Sequence, residues 1–537
     1  MKTRIFQTLR HPLSLLLIFY LLYAGLFIWK GSYEVDGKRY FLLFDDAMIS
    51  MRYAKNLVEG HGLVWNPGGQ RVEGFTNPLW TFLMAGVHLL PFPASLISLP
   101  ILLLAVLLLT LNIIVVYRIS SILSKNDSRA GMVAAIFTAF YFPLNHWGYL
   151  GMEVSLLTLL VSTSVLLAIR GLGGRTSPWL YFLLGLGTLV RMDAVVPAVV
   201  ILGFLFATDP RNRTQHLLVG ALCVITPLFV QTIFRLWYYG DVLPNTYYLK
   251  MTGYPAGERI LHGLRIAFWH LQRLNPLVLL LITAFLFIRR ERILFLPAAV
   301  VLGQLGYSTY VGGDAWEWWG ESNRYVTVAA PMVFVLFAMS ATTFADLIQG
   351  KLQLSPLQQK RVLLPVWGVA LVALFLIVNK RDDWDLIREV FLLKGPVHML
   401  EHRQSLEAAA MLDTVLTQEG TVAVVWAGVV PYFLERNAVD ILGKNDKHVA
   451  RLPAVRTNPP PLLESFHPGH MKYDYEYSVG TLKPDVILRL WMVQNDPPTF
   501  VKEMYWKVEI GNVRFYARKN SENIHWEGIR CSVCKLD

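Results

Sequence analysis

The sequence predicts a mainly helical, polytopic membrane protein that ends in an α/β domain. Three observations carry that prediction. The 537 residues are 54% hydrophobic and only 16% charged, with mean hydropathy +0.43, whereas soluble proteins carry roughly 25% charged residues. Apolar runs of bilayer-crossing length recur up to residue 379. Beyond it, short β-patterned runs alternate with helical ones. This composition excludes a purely soluble, disordered or fibrous chain, and three Cys exclude a disulfide framework. A formal charge of +11 on such a chain reads as a topology signal before it reads as affinity for nucleic acid, and no nucleic-acid partner is expected.

The first apolar stretch, 12–29, follows a basic tail containing Lys2, Arg4 and Arg10 and exits at Lys30-Gly31-Ser32-Tyr33. No small-residue cleavage site follows, so it reads as an uncleaved helix with its N-terminus inside. Further apolar runs lie near 94–117, 130–148, 151–169, 178–190, 193–207, 216–238, 274–288, 293–311, 325–346 and 362–379. The segment 78–92 is short, contains His88 and is bounded by Pro78, Pro91 and Pro93, which places it in the interface. About 11 spans remain on a ~20-residue criterion. Arg118/Lys125/Arg129, Arg170/Arg175, Arg211/Arg213, Arg289/Arg290/Arg292 and Lys351/Lys360/Arg361 then fall in alternate short loops on the side of the N-terminus. That is the positive-inside pattern. The long segments 30–77, 239–273, 312–324 and 380–537 fall outside, with Trp65, Tyr238, Tyr239, Tyr247, Tyr248, Trp316, Trp318 and Trp319 crowding them. An interfacial aromatic belt accounts for some of these rings.

After Asn379 a helical stretch near 405–417 precedes β-like runs at 421–426, 438–442, 485–490, 505–510 and 513–518. The expected organisation is a transmembrane domain over 1–379 and an extracytoplasmic α/β domain over 380–537. Gly428 follows a strand, but no G-x-G-x-x-G fingerprint accompanies it.

The chemistry-bearing residues gather in the outer segments. Asp45 and Asp46 stand side by side just after the first span. Adjacent carboxylates near a membrane raise at least one pKa, which suits a general base or cation ligand. A helix N-cap is the alternative role, and the two can divide these tasks. Turn-rich segments follow at Gly60-His-Gly-Leu-Val-Trp65-Asn-Pro-Gly-Gly69 and Glu73-Gly-Phe-Thr-Asn77-Pro78. Glu153, Arg191 and Asp193 sit at outer span ends, where ionisable groups are costly; they either serve the chemistry or pair to hold helices together. Lys250 suits a phosphate as a point charge, or anchors among interfacial tyrosines. The loop with Asp314, Trp316, Glu317 and Arg324 mixes indoles, acids and a base, a combination that suits carbohydrate. His467 and His470 form a weak metal pattern, and Cys531-Ser-Val-Cys534 can close a disulfide outside the cell.

Several of these motifs resemble the GT-C superfamily of membrane glycosyltransferases that use polyprenyl-phosphate sugars. Phe44-Asp45-Asp46-Ala47 with Arg52-Tyr53, Gly60 to Asn66, Val72 to Pro78, Gly240 to Thr246, Gly312-Gly-Asp314, and Pro431-Tyr432 with Asp440 to Gly443 are similar to the mycobacterial terminal β-(1→2)-arabinofuranosyltransferase group. The resemblance spans almost the whole chain. It implies a polytopic GT-C fold and inverting transfer of a sugar, arabinofuranose as first choice, from a polyprenyl-phosphate donor. The acceptor would be an extracytoplasmic glycan, lipid-linked or protein acceptor, and the location a bacterial inner membrane. Asp45 maps to the expected general base. Asp46 and Glu153 would position the acceptor or a divalent cation, although no cofactor is required. Lys250, Arg191 and Arg324 would bind the donor phosphate, and Asn77, Asn245, Asp314, Trp316, Glu317 and His470 would bind sugar or acceptor. A lipid-linked-sugar transporter or flippase is a second reading, and a membrane-anchored polysaccharide-binding protein a third.

Overall fold

The computed structural model describes residues 11–319, 323–352, 361, 364–379, 385–395, 398–455, 466–493, 496–528 and 533–534. The basic N-terminal tail, Lys360, the 459–461 proline cluster and Cys531 lie outside these residues, as do the side chains of Trp318 and Trp319. Among the described residues, six helices are long and apolar enough to cross a membrane: Pro12–Lys30, Leu99–Leu123, Val154–Gly171, Arg213–Tyr238, Arg292–Val311 and Ala330–Leu352. The chain is therefore a multi-pass membrane protein. Shorter apolar helices run over Pro178–Val190, Met192–Thr208 and Pro365–Val378. The apolar run at 130–148 breaks into Ser128–Ala139 and Phe142–Tyr149. Pro143 explains the second start, because its missing N–H costs nothing in a helix's first turn. The 78–92 segment holds an 11-residue helix, Pro78–His88.

At one end of the bundle, Arg129 pairs with Asp346 of helix Ala330–Leu352 at 2.9 Å and Lys125 approaches Glu291 at 3.9 Å. Helix Ala256–Arg273 turns by 87° into Pro276–Arg289. Its exposed side carries Leu261, Leu264 and Phe268, while Gly263 sits against the Thr309 backbone.

Between the first span and helix Asp45–Val58 lies a hairpin of β1 (Tyr33–Val35) and β2 (Lys38–Tyr40). Asp36 and Gly37 turn it at φ 50° and 70°, the left-handed pair that tight two-residue hairpins require.

The C-terminal region is a mixed sheet of six strands. In chain order they are β3 (Thr421–Val424), β4 (Asn437–Asp440), β5 (Val486–Ile487), β6 (Tyr505–Ile510), β7 (Val513–Arg518) and β8 (Val533–Cys534). Their spatial order is β4-β3-β5-β7-β6-β8, with β3 parallel to both neighbours and the rest antiparallel. Side chains alternate across a strand. Val422 and Val424 therefore join one apolar cluster, while Ala423 and Val425 join another on the opposite face. The first cluster does not stop at the domain edge. It continues through Ala427 and Val430 into Ile49, Tyr53, Leu63, Trp65 and Phe75 of the N-terminal region. One continuous core thus fixes the sheet against the segment that carries Asp45 and Asp46.

Candidate active site

A cavity of about 320 Å³ opens at the junction of these parts. Its polar wall is built from element ends. Asp46 stands in the first turn of helix Asp45–Val58, and Asn77 directly precedes helix Pro78–His88. Glu153 precedes helix Val154–Gly171, and Arg191 follows helix Pro178–Val190. Lys250 closes helix Asn245–Met251, and Arg324 opens helix Arg324–Thr327. Lys444 and Pro468 come from the sheet region. Met152, Met192, Tyr247, Tyr307 and Tyr325 supply less polar wall.

The polar groups divide into two clusters. In the first, Arg191 binds Asp193 through Nε at 2.9 Å and Nη2 at 2.7 Å, and Glu153 through Nη1 at 2.7 Å. Glu153 is only 1% exposed, and its second oxygen accepts from Asn77 Nδ2 at 2.9 Å. Asn77 Oδ1 accepts from Ser50 and Thr81. In the second cluster, Asp46 accepts from Arg324 Nη1 at 3.0 Å, from Trp316 Nε1 at 3.2 Å and from the Lys444 ammonium. Arg324 also forms a two-pronged pair with Asp314, at 2.7 and 2.9 Å. Lys250 faces this cluster and, among the described residues, forms no ion pair or hydrogen bond of its own.

The electrostatics follow from that inventory. Burial would raise the Asp46 carboxyl, but Lys444, Arg324 and Lys250 outweigh it and hold Asp46 well below the carboxylate range. Burial, reinforced by Arg324, lowers Lys250 to about 8. Asp45 behaves oppositely. Burial pushes it up to about 6 despite the Val429 N–H and Lys444.

The two aspartates also face different ways. Asp45 does not line the cavity. Its carboxylate, in a residue 5% exposed, accepts the Gly428 N–H at 3.1 Å and the Val429 N–H at 2.9 Å. A Cβ at Gly428 would stand 1.9 Å from the Asp45 carbonyl oxygen, so only glycine permits this approach.

Several expected ligands stand behind the wall rather than in it. Asn245 is buried, and its Nδ2 serves the carbonyls of Gly443, Lys444 and Asp446 at 2.9, 2.9 and 3.1 Å. It therefore clamps a turn instead of presenting an amide to a sugar. Asp314 holds Arg324, and Glu317 accepts the Asp314 N–H at 3.0 Å. Burial and Asp314 push Glu317 up to about 8. Trp316 orients Asp46 and packs on Phe44. His470 sits among Trp316, Trp426 and Trp491, where burial lowers it to about 3. None of these five lines the cavity. Arg191, expected at the donor phosphate, lines it but already faces two carboxylates. Asp46 and Glu153, the residues considered for a divalent cation, each bond basic side chains. No group of three or more His, Cys, Asp or Glu gathers among the described residues. Lys444 was missed in the sequence, although it directly follows the Asp440 to Gly443 motif.

Comparison with known proteins gives the architecture a name. Residues 78–234 match the family described as dolichyl-phosphate-mannose-protein mannosyltransferase, and residues 397–523 match a domain of unknown function. No curated protein matches in sequence. Among solved structures, ArnT from Cupriavidus metallidurans bound to undecaprenyl phosphate superposes with TM-score 0.55 at 10% identity, covering 95% of this chain and 98% of that one. The oligosaccharyltransferase of Archaeoglobus fulgidus tethered to an acceptor peptide superposes with TM-score 0.51 at 12% identity, covering 96% and 74%. This is the GT-C fold. The GT-C likeness extends over nearly the full chain, so the sheet region belongs to the superposed architecture as much as the helices do.

Proposed function

We propose that the protein is an inverting glycosyltransferase that moves a sugar from a polyprenyl-phosphate donor to an extracytoplasmic acceptor. One observation carries this reading. The Asp46 cluster sets three cations, Lys250, Arg324 and Lys444, against two carboxylates, Asp46 and Asp314, and Lys250 faces the cavity without an ion-pair partner among the described residues. A surplus positive charge in the cavity suits the phosphate of a lipid donor. The superposition on an undecaprenyl-phosphate complex of ArnT supports the same donor class.

In the proposed step an acceptor hydroxyl oxygen attacks the anomeric carbon from the face opposite the phosphate. The carbon–oxygen bond to phosphate breaks with its electron pair, and the released phosphomonoester carries one more negative charge than the diester did. Lys250 and Arg324 face that developing charge, which preorganised cations stabilise more in the transition state than in the ground state. The acceptor proton passes to Asp46, the member of the acidic pair that lines the cavity, and its carboxylate becomes basic enough for this only as the donor phosphate takes over the cations that hold it low. Asp45 instead positions the sheet region through Gly428 and Val429. Glu153 and Asn77, both on the cavity wall, provide acceptors and a donor for hydroxyls. Arabinofuranose is the sugar favoured by the motif resemblance, and an outward-facing site on a bacterial inner membrane is the matching location.

The test is incubation of the purified protein in lipid nanodiscs with a panel of polyprenyl-phosphate sugars and glycan acceptors. Release of polyprenyl phosphate together with an inverted glycosidic product is expected for one donor. Failure of every donor, together with no binding of polyprenyl phosphate, would overturn the reading.

A further inference from the structure

The turn between β4 and helix Lys447–Arg451 is anchored far more heavily than a surface turn requires. Asp440 Oδ1 accepts the N–H groups of Leu442 and Gly443, each at 3.1 Å, and its Oδ2 accepts the Asn445 N–H at 2.8 Å. Gly443 adopts φ 78°, left-handed backbone that favours glycine. From the membrane region, Asn245 Nδ2 reaches three carbonyls of the same turn. Tyr53 donates its hydroxyl to Asn445 Oδ1 at 3.0 Å, and a Cβ at Gly74 would stand 1.9 Å from that oxygen. Three separate segments of the N-terminal region thus grip one turn of the sheet region. The side chain held out from it into the cavity is Lys444, whose ammonium meets Asp46.

We propose that Lys444 is a donor-phosphate ligand, and that the 397–523 domain is a catalytic half of the enzyme because it delivers this cation. The inference rests on the lipid-phosphate reading above. Before the donor arrives, Lys444 neutralises Asp46. Phosphate then competes for the ammonium, the Asp46–Lys444 pair is exchanged for a phosphate–Lys444 pair, and Asp46 is left freer to accept a proton. Asn245 and Asp440 are positioning residues in this scheme, since they touch the turn and not the substrate.

The test is equilibrium binding of a short-chain polyprenyl phosphate to the purified full chain in detergent, with the matching polyprenol as the neutral control. Wild type is expected to favour the phosphate over the alcohol. Lys444→Gln is expected to lose about tenfold or more in phosphate affinity, the scale of one charged hydrogen bond, with alcohol binding and Tm unchanged. Lys444→Arg should restore most of the loss. Asp46→Asn, which removes the competing carboxylate, should bind the phosphate several-fold tighter than wild type. Equal phosphate affinity in wild type and Lys444→Gln would overturn the role of Lys444 and leave the donor class intact. Wild type that does not distinguish phosphate from alcohol would overturn both. If Lys444→Gln lowers Tm, Asp46→Asn/Lys444→Gln is compared with Asp46→Asn alone. The double variant leaves no buried carboxylate stripped of its Lys444 partner, and equal affinities in the two would equally overturn the assignment.

Discussion

The two ends of the cavity are built from the same residue types in inverse proportion. Around Arg191 two carboxylates, Glu153 and Asp193, surround one cation. Around Asp46 and Asp314 three cations surround two carboxylates. The first arrangement leaves surplus negative charge and free acceptor capacity, which suits hydroxyls. The second leaves surplus positive charge, which suits phosphate. Charged residues at a membrane edge therefore do not declare their role singly. Arg191 and Arg324 each meet two carboxylates, but Lys444 shares Asp46 with Arg324 and Lys250 faces that cluster, so the same residue type reads as a helix-locking counterion in one place and as a phosphate ligand in the other.

The strongest challenge to this division is Asp46→Asn. Loss of a general base lowers kcat by about 10²- to 10⁴-fold, so that scale of loss is expected in single-turnover sugar transfer, with expression intact. If Asp45→Asn shows the larger loss of the two, the cavity-facing aspartate is not the base. Next, Arg191→Met leaves Glu153 and Asp193 without their cation. Uncompensated buried charge costs about 3–5 kcal/mol, so a large fall in Tm is expected while donor affinity per folded molecule is retained. A selective loss of donor affinity at unchanged Tm would move the phosphate to this end.

Lys250→Met tests the other end. A roughly 10- to 100-fold fall in kcat/KM for the donor is expected, the worth of a charged hydrogen bond, with Tm unchanged. The pH dependence sharpens the point. Lys250 is lowered to about 8 by burial and Arg324, so it loses its charge as pH rises through 8 and donor KM should climb there. In Lys250→Met that alkaline rise should be absent. Gly428→Ala forces apart the contact with the Asp45 backbone; such overpacking costs about 1–3 kcal/mol and should appear as a lowered Tm with weakened activity. Asp45 is raised to about 6 by burial. Below that pH it is protonated and holds the Gly428 and Val429 N–H groups less strongly, so activity should fall on acidification, and Asp45→Asn should flatten that fall.

Much of the frame was legible beforehand. Multi-pass membrane character, the separate helix at 78–88 and the strands at 505–510 and 513–518 all follow from local pattern, because burial in lipid or in a sheet imposes a period on the chain. The β1–β2 hairpin carried its own signal in Asp36-Gly37 but sits among charged residues too short in pattern to read as strands. The site was only half legible. Asp46, Asn77, Glu153, Arg191, Lys250 and Arg324, singled out by residue type, line one cavity. Asn245 and His470 carry the same kind of polar side chain and yet face into packing. Nothing local distinguishes an amide aimed at a ligand from one aimed at three backbone carbonyls.

Hydropathy, charge spacing and turn chemistry are properties of neighbours along the chain, so the sequence by itself determined membrane character, the α/β tail and the acidic pair. Which aspartate faces the cavity was decided by Gly428, 383 positions away, whose N–H draws the Asp45 carboxylate out of the site. Which cations meet was decided by the continuous core that seats the sheet region on helix Asp45–Val58 and carries Lys444 to Asp46. Ionic interactions act over a few ångströms of space whatever the sequence separation, and only the folded chain sets those distances.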